Sequence, residues 1–238
     1  GFLSKPVRLL ELEECVKSIL ETQPDRVKNG SGKTMQMSAS YNARKVHAMT
    51  RELAEARRRT YHAQRETIRR LATAAEYRDE ATGAHVRRIG KYCALIGRKL
   101  KLPPGRVEIL RYASQLHDVG KIGIPDEILL KPGRLNEDEW RSMKEHVSIG
   151  ARILGGSSLE FLQRGKQIVE THHEKWDGSG YPEGLREKDI PLCGRICAIA
   201  DVFDALTTDR PYRAALSMDE AVKIMEKKRA SHFDPDLL

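Results

Sequence analysis

Apolar positions along this chain recur at helical spacing almost throughout, and strict alternation of apolar and polar residues is nearly absent. Val7, Leu10, Val16, Ile19 and Leu20 mark a first short helix. Residues 22–40 are polar, carry Pro24, Gly30 and Gly32, and read as a linker. Residues 41–70 predict one long helix. Val46, Met49, Leu53, Ala56, Thr60, Ala63 and Thr67 keep the 3-4 alternation of a two-stranded coil, with a seam that weakens toward Ala and Thr. From residue 68 onward helix signals follow one another closely. Val86, Ile89, Cys93, Ile96 and Leu100 form one stripe, and Leu192, Ile196, Ile199, Phe203 and Leu206 another. Pro104 stands where a first-turn proline belongs, opening a helix expected over 104–117. Asn136 with Glu139, and Ser217 with Glu220, have the spacing of capping boxes. The pattern predicts an all-α fold: a multi-helix domain over 68–238, preceded by a linker and coiled-coil helix over 22–67 and a separate segment over 1–21.

Composition narrows the class. Of 238 residues 39% are hydrophobic, which excludes wholesale disorder, and no apolar run approaches the ~18 residues of a membrane span. The net charge of +8 is concentrated at one end: residues 1–72 hold 15 Lys+Arg against 8 Asp+Glu, and the remainder is nearly balanced. Clusters such as Arg57-Arg58-Arg59 lie in a helical stretch without interleaved aromatics. They read as a solvated helix face rather than a nucleic-acid surface. Gly30-Ser31-Gly32-Lys33-Thr34 has the ending of a phosphate-binding loop, but Val27 stands where its first glycine belongs and no apolar strand precedes it. Cys15, Cys93, Cys193 and Cys197 show no paired spacing and suit reduced thiols in a cytoplasmic protein.

The candidate chemistry lies in the histidines. His85, His117, His146, His172 and His173 fall at or near five consecutive helix signals, with Asp118 beside His117 and Asp201 inside the 192–208 helix. One histidine on such a helix is ordinarily a packed core residue, but five with two aspartates suit a metal site. Imidazole and carboxylate together accept Fe, Mn, Ni or Zn, and a two-oxygen carboxylate such as Asp118 can bridge two cations. His232, Trp140 and Trp176 read as packing residues, although Trp176 sits in the loop after His173.

These residues stand in a series of motifs. Arg78-Asp79 precedes Thr82-Gly83-Ala84-His85; Leu116-His117-Asp118-Val119-Gly120-Lys121-Ile122-Gly123-Ile124-Pro125-Asp126 follows, then Leu130-Lys131-Pro132-Gly133 and His146. Next come His172-His173-Glu174-Lys175-Trp176-Asp177-Gly178-Ser179-Gly180-Tyr181-Pro182, then Asp201-Val202-Phe203-Asp204-Ala205-Leu206-Thr207 and Arg210-Pro211-Tyr212-Arg213. In this order they resemble the HD-GYP family, the cyclic di-GMP phosphodiesterase branch of the HD phosphohydrolases.

The resemblance implies two divalent cations, iron or manganese with nickel or zinc also accommodated. One would be held by His85, His117, Asp118 and Asp201, the other by Asp118, His146, His172 and His173. It implies attack on phosphorus by a hydroxide bridging the cations, Lys121 meeting the phosphate charge, and Arg210 and Arg213 contacting the dinucleotide. The Gly180-Tyr181-Pro182 loop would wall the substrate cleft or meet other signalling proteins. Some members carry Glu four residues before the first metal histidine to help hold a third cation. Here that position is Ala81, with Glu80 about 100° away around a helix, so two cations and the product pGpG rather than GMP are expected. Residues 1–6 resemble the last strand and Lys-Pro turn of a response-regulator receiver domain, which makes 1–21 a receiver-like remnant and the chain a fragment of a receiver–coil–HD-GYP protein. The long helix implies a homodimer. Alternatives are a non-catalytic dinucleotide-binding adaptor, or an HD phosphohydrolase of another nucleotide.

Overall fold

The computed structural model describes residues 32–78, 83–209 and 214–238, with side chains from residue 41. The receiver-like remnant at 1–21, Glu80, Ala81, Arg210 and Arg213 lie outside the described residues. Among the described residues there are eight α-helices: α1 (Gly32–Glu76), α2 (Ala84–Lys99), α3 (Pro104–Ala113), α4 (Asp126–Leu129), α5 (Glu137–Leu154), α6 (Glu160–Thr171), α7 (Leu192–Thr207) and α8 (Met218–Glu226), with 3-10 turns at Ser114–Leu116, Val119–Gly123 and Glu187–Asp189. They contain no strand, so the all-α expectation holds.

The long helix extends beyond 41–70 at both ends. Gly32, Lys33 and Thr34 are helical, not part of a linker loop. The chain divides into two compact units, Gly1–Arg59 and Thr60–Leu238. In the first, Met49 and Leu53 of the expected seam are 59% and 58% exposed. In the second, Thr60, Ala63 and Thr67 are also exposed. The buried stripe there is Ile68, Ala72 and Ala75, joined by Tyr61. This core-facing stripe is distinct from the heptad seam: the bulk that fills the core sits at Ile68 and Tyr61, and the small and polar seam positions stay exposed.

The Thr60–Leu238 unit packs its helices around two main clusters. Ile68, Val86, Leu116, Phe161 and Val169 centre one; Ile89, Leu110, Ile168, Ile196 and Cys197 centre the other. Ile89, Ile168 and Ile196 are fully buried, each stabilising the fold by about 1.5–3 kcal/mol. Phe233 and Met225 with Ile199 form a third, smaller cluster that seats α8 and the C-terminal turn on α7.

Local chemistry sets the helix ends. Pro103 and Pro104 open α3, where a missing N–H costs nothing. Capping boxes at Asn136–Glu139 and Ser217–Glu220 open α5 and α8, each with both reciprocal hydrogen bonds formed. Helix α2 closes in a Schellman turn, with the Leu102 N–H on the Gly97 carbonyl and the Lys101 N–H on that of Arg98. The left-handed position of that turn is taken by Lys101 at φ 55.

Candidate metal centre

Five segments deliver the site. His85 lies in the first turn of α2, entered through Gly83 at φ 61. Helix α3 was expected to reach residue 117 but stops at Ala113. The tighter Ser114–Leu116 turn then swings His117 and Asp118 inward. His146 comes from α5; His172 and His173 follow the last turn of α6; Asp201 comes from α7. Two close approaches set these elements. A Cβ on Gly120 would meet the His146 carbonyl at 1.8 Å, so the turn after Asp118 lies directly on the backbone of α5. A Cβ on Gly194 would meet Thr171 Oγ1 at 2.2 Å, so α7 rides against the end of α6.

All seven predicted ligands converge. Atoms of Asp118, His146, His172 and His173 lie within 4.8 Å of one another, as do those of His85, His117 and Asp201. Asp118 joins the two groups: Oδ1 is 3.5 Å from Nε2 of both His146 and His172, and Oδ2 is 3.4 Å from Nε2 of His117. Asp201 Oδ1 lies 3.7 Å from His85 Nε2 and 3.8 Å from His117 Nε2.

Three of the outward nitrogens are held by backbone carbonyls. Nδ1 of His117 meets the Ser114 carbonyl at 3.0 Å, Nδ1 of His146 that of Met143 at 2.7 Å, and Nδ1 of His172 those of Ile168 and Val169 at 3.1 Å. A carbonyl only accepts, so each Nδ1 carries the proton and each Nε2 presents a lone pair inward. Those three Nε2 atoms and Asp118 Oδ1 are buried with no hydrogen-bond partner. Four buried orphan acceptors facing one another are costly in an empty core and are satisfied by cations. The residues therefore fit the metals that the family resemblance implies.

Electrostatics agree. Burial pushes the His117 imidazole down to about 4, against the pull of Asp118 and Asp201. Burial likewise lowers His146 and lowers His173 strongly. Neutral imidazole is the ligating form. Burial opposes ionisation of Asp118, but Lys121 and the surrounding histidines hold it well below the usual carboxylate range. His85 goes the other way: burial disfavours its charge, and the hydrogen bond to Asp204 raises its pKa nonetheless.

Lys121 stands on the rim, its Nζ 2.8 Å from Asp118 Oδ2. The Tyr181 ring stacks on His173 at 4.6 Å, with Trp140 edge-on at 6.1 Å and the Lys144 ammonium 5.7 Å from the ring centroid. Trp140, expected to pack inside, is half-exposed beside this tyrosine. Burial, with Asp118 nearby, raises the Tyr181 phenol above its usual range, so it stays a proton donor. Gly180 admits no side chain, because a Cβ would lie 2.4 Å from the Lys175 nitrogen. His232 is not one of the converging side chains and stacks on Phe233. Trp176 packs under the Arg195 guanidinium.

Three residues to which the motifs assign no role of their own buttress this cluster. Asp204 is almost wholly buried; its Oδ2 takes His85 Nδ1 at 2.7 Å and it receives a two-pronged pair from Arg88 at 2.5 and 2.8 Å. Both partners sit three residues after a ligand, Arg88 after His85 and Asp204 after Asp201, which is the helical spacing that signals a shared face. Glu174, buried beside His173, accepts from the Glu183, Gly184 and Leu185 amides at 2.8, 3.1 and 3.1 Å, and so closes the loop that carries Tyr181.

The cyclic di-GMP phosphodiesterase response regulator RpfG of Xanthomonas campestris pv. campestris is 43% identical over 234 residues, covering 98% of this chain and 58% of that protein. A 3'3'-cGAMP-specific phosphodiesterase 2 of Vibrio cholerae is 45% identical over 174 residues, covering 73% of this chain and 33% of that protein. The chain thus spans less than two thirds of the length of these relatives. In fold, it resembles the crystal structure of a cyclic GMP-AMP specific phosphodiesterase of V. cholerae (V-cGAP3), with a TM-score of 0.55, 22% identity, and coverage of 73% of this chain and 46% of that one. The HD domain family matches residues 69–237, the whole stretch that carries the seven converging side chains, and this chain belongs to that family.

Proposed function

We propose that this chain is a metal-dependent phosphodiesterase of the HD-GYP branch that opens cyclic di-GMP to pGpG. The observation that carries the reading is Asp118: one ionised carboxylate within 3.5 Å of three buried imidazoles whose inward nitrogens have no other partner. His85, His117, Asp118 and Asp201 hold one cation; Asp118, His146, His172 and His173 hold the second. Iron or manganese suits this nitrogen-rich, mixed set. Bound there, the cations supply Lewis-acid stabilisation of phosphate charge and lower the pKa of water.

The chain's own residues do the rest. Asp118 keeps both ligand groups in one register. Lys121 offers a fixed ammonium to the scissile phosphate, which counts most as charge shifts in the transition state. Tyr181, held protonated and flat against His173, walls the cleft and donates toward the ligand. Arg210 and Arg213 bind the second phosphate or a base edge. The exposed seam of α1 pairs two chains into a homodimer, and the Gly180-Tyr181-Pro182 loop serves as a contact for other signalling proteins. Free, buried Cys93, Cys193 and Cys197 support a cytoplasmic location. Among the described residues no helix is long and apolar enough to cross a membrane.

Similarity to a cGAMP-specific relative favours a second reading in which 3'3'-cGAMP is the preferred substrate. Incubating the purified protein, supplied with Fe(II) or Mn(II), with cyclic di-GMP and 3'3'-cGAMP in parallel separates the two. Faster conversion of cyclic di-GMP to pGpG supports the proposal, faster cGAMP cleavage supports the second reading, and no cleavage of either supports an adaptor.

A further inference from the structure

A second polar cavity lies apart from the metal cluster. It has a volume of about 310 Å³ and is bounded by α1, α2, α3 and the turn that follows α3, all within the Thr60–Leu238 unit. Its lining is strongly basic: Arg65, Arg69, Arg87, Lys91 and Arg111 face it with Glu66 as the one acidic lining residue. Some of that charge is already spent. Arg65 pairs with Glu108 at 2.7 Å and binds the Tyr112 hydroxyl, and Arg69 pairs with Glu66 at 2.8 Å. Arg87, Lys91 and Arg111 have no acidic partner among the described residues. They are exposed and come from two different helices.

A surface cluster of cations alone means little. Here two orphan polar atoms accompany it. Gln115 lines the cavity and is 6% exposed, and its Nε2 is committed to the Arg111 carbonyl at 3.0 Å, while its Oε1 is buried without a partner. The Nε of Arg65 is likewise buried and unpartnered. Gly90 makes room for this amide, since a Cβ there would lie 2.8 Å from Gln115 Nε2. The concavity is therefore lined by three cations without an acidic partner, Arg111 among them lying over the Tyr112 ring at 5.7 Å, and two of its lining residues, Arg65 and Gln115, each keep a buried polar atom without a hydrogen-bond partner; none of these belongs to the metal centre.

We propose that this cavity binds a small diphosphate-bearing ligand, a nucleoside di- or triphosphate or free pyrophosphate, as a site separate from the metal centre. The cations match two or more phosphate charges, and arginine forks suit phosphate oxygens. The volume lies at the low end for small-molecule sites, enough for one nucleotide and too little for a folded macromolecular segment. Helix α2 ties the cavity to the chemistry, for it carries Arg87 and Lys91 alongside His85 and Arg88.

The test is calorimetric titration of the full chain with ATP and, separately, with inorganic pyrophosphate. One site per chain is expected. Its affinity should stay within twofold in Asp118→Ala, which disables the metal centre, and fall at least tenfold in Arg87→Glu/Lys91→Glu. Arg111→Glu, a single exposed change on another helix, should weaken binding similarly, which guards against misfolding of the double variant. ATP binding more tightly than pyrophosphate assigns a nucleotide; equal affinities assign the free diphosphate. Absence of binding by both probes, or binding that persists in both charge-reversed variants and disappears in Asp118→Ala, overturns the proposal.

Discussion

Three of the inner imidazoles are oriented by backbone carbonyls, whereas His85 is oriented by a charge. That difference makes Asp204 the most informative single side chain outside the cluster. Asp204→Asn keeps an acceptor for His85 but removes the negative charge that raises its basicity and balances Arg88. Metal affinity should fall about 10–100-fold while the fold is retained, as read by metal titration alongside circular dichroism. His232 tests another consequence of burial. Burial, with Lys175 nearby, lowers its pKa to about 4, so the unfolded chain, titrating near 6.5, takes up the proton first. The associated stability is complete above about pH 6.5 and is lost as pH falls toward 4. Allowing for partial exposure, it is on the order of 1 kcal/mol. His232→Gln should therefore lose less melting temperature between pH 7 and 4.5 than the parent; an identical loss removes this account of His232.

At the scale of elements, glycine decides where the ligands sit. Gly120 and Gly194 let backbone and helix approach to distances that no side chain permits, one at His146 and the other at Thr171 beside His172. Gly120→Ala must push the 119–123 turn away from α5, separating Asp118 from His146. The expected outcome is a loss of more than 2 kcal/mol in denaturant unfolding together with loss of metal. A variant that keeps parental stability and metal content would show that this approach is not needed. Much of this level was legible in the sequence: capping residues announced the starts of α5 and α8, and Pro104 that of α3. The ends were less so. Nothing in residues 104–117 signals that α3 yields to a tighter turn at Ser114, because that change is dictated by where His117 must point. In α1 the spacing marked a heptad seam, whose Met49 and Leu53 stay exposed, and gave no sign that Tyr61 and Ile68 supply the face packed on the domain. The Arg88–Asp204 pair was within reach of i, i+3 reasoning from His85 and Asp201.

Over the whole molecule, the ordered series of motifs identified the family before any coordinates and named the seven side chains that the fold brings together, because metal-ligating chemistry tolerates few residue types. What pattern cannot give is distance, and here distance turns a set of histidines into two groups sharing one carboxylate. Assembly is a separate matter. The exposed Met49 and Leu53 predict a dimer through α1; light scattering at micromolar concentration should give twice the 27.0 kDa chain mass, and Leu53→Glu should return it to the monomer. A parental protein that is already monomeric would remove the coil from the account. In the proposed function Asp118 serves two cations at once. Elemental analysis of metal bound per chain, parent against Asp118→Ala, tests it most directly: the parent should carry two and the variant fewer than one, whereas an Asp118→Ala protein that still holds two would contradict it.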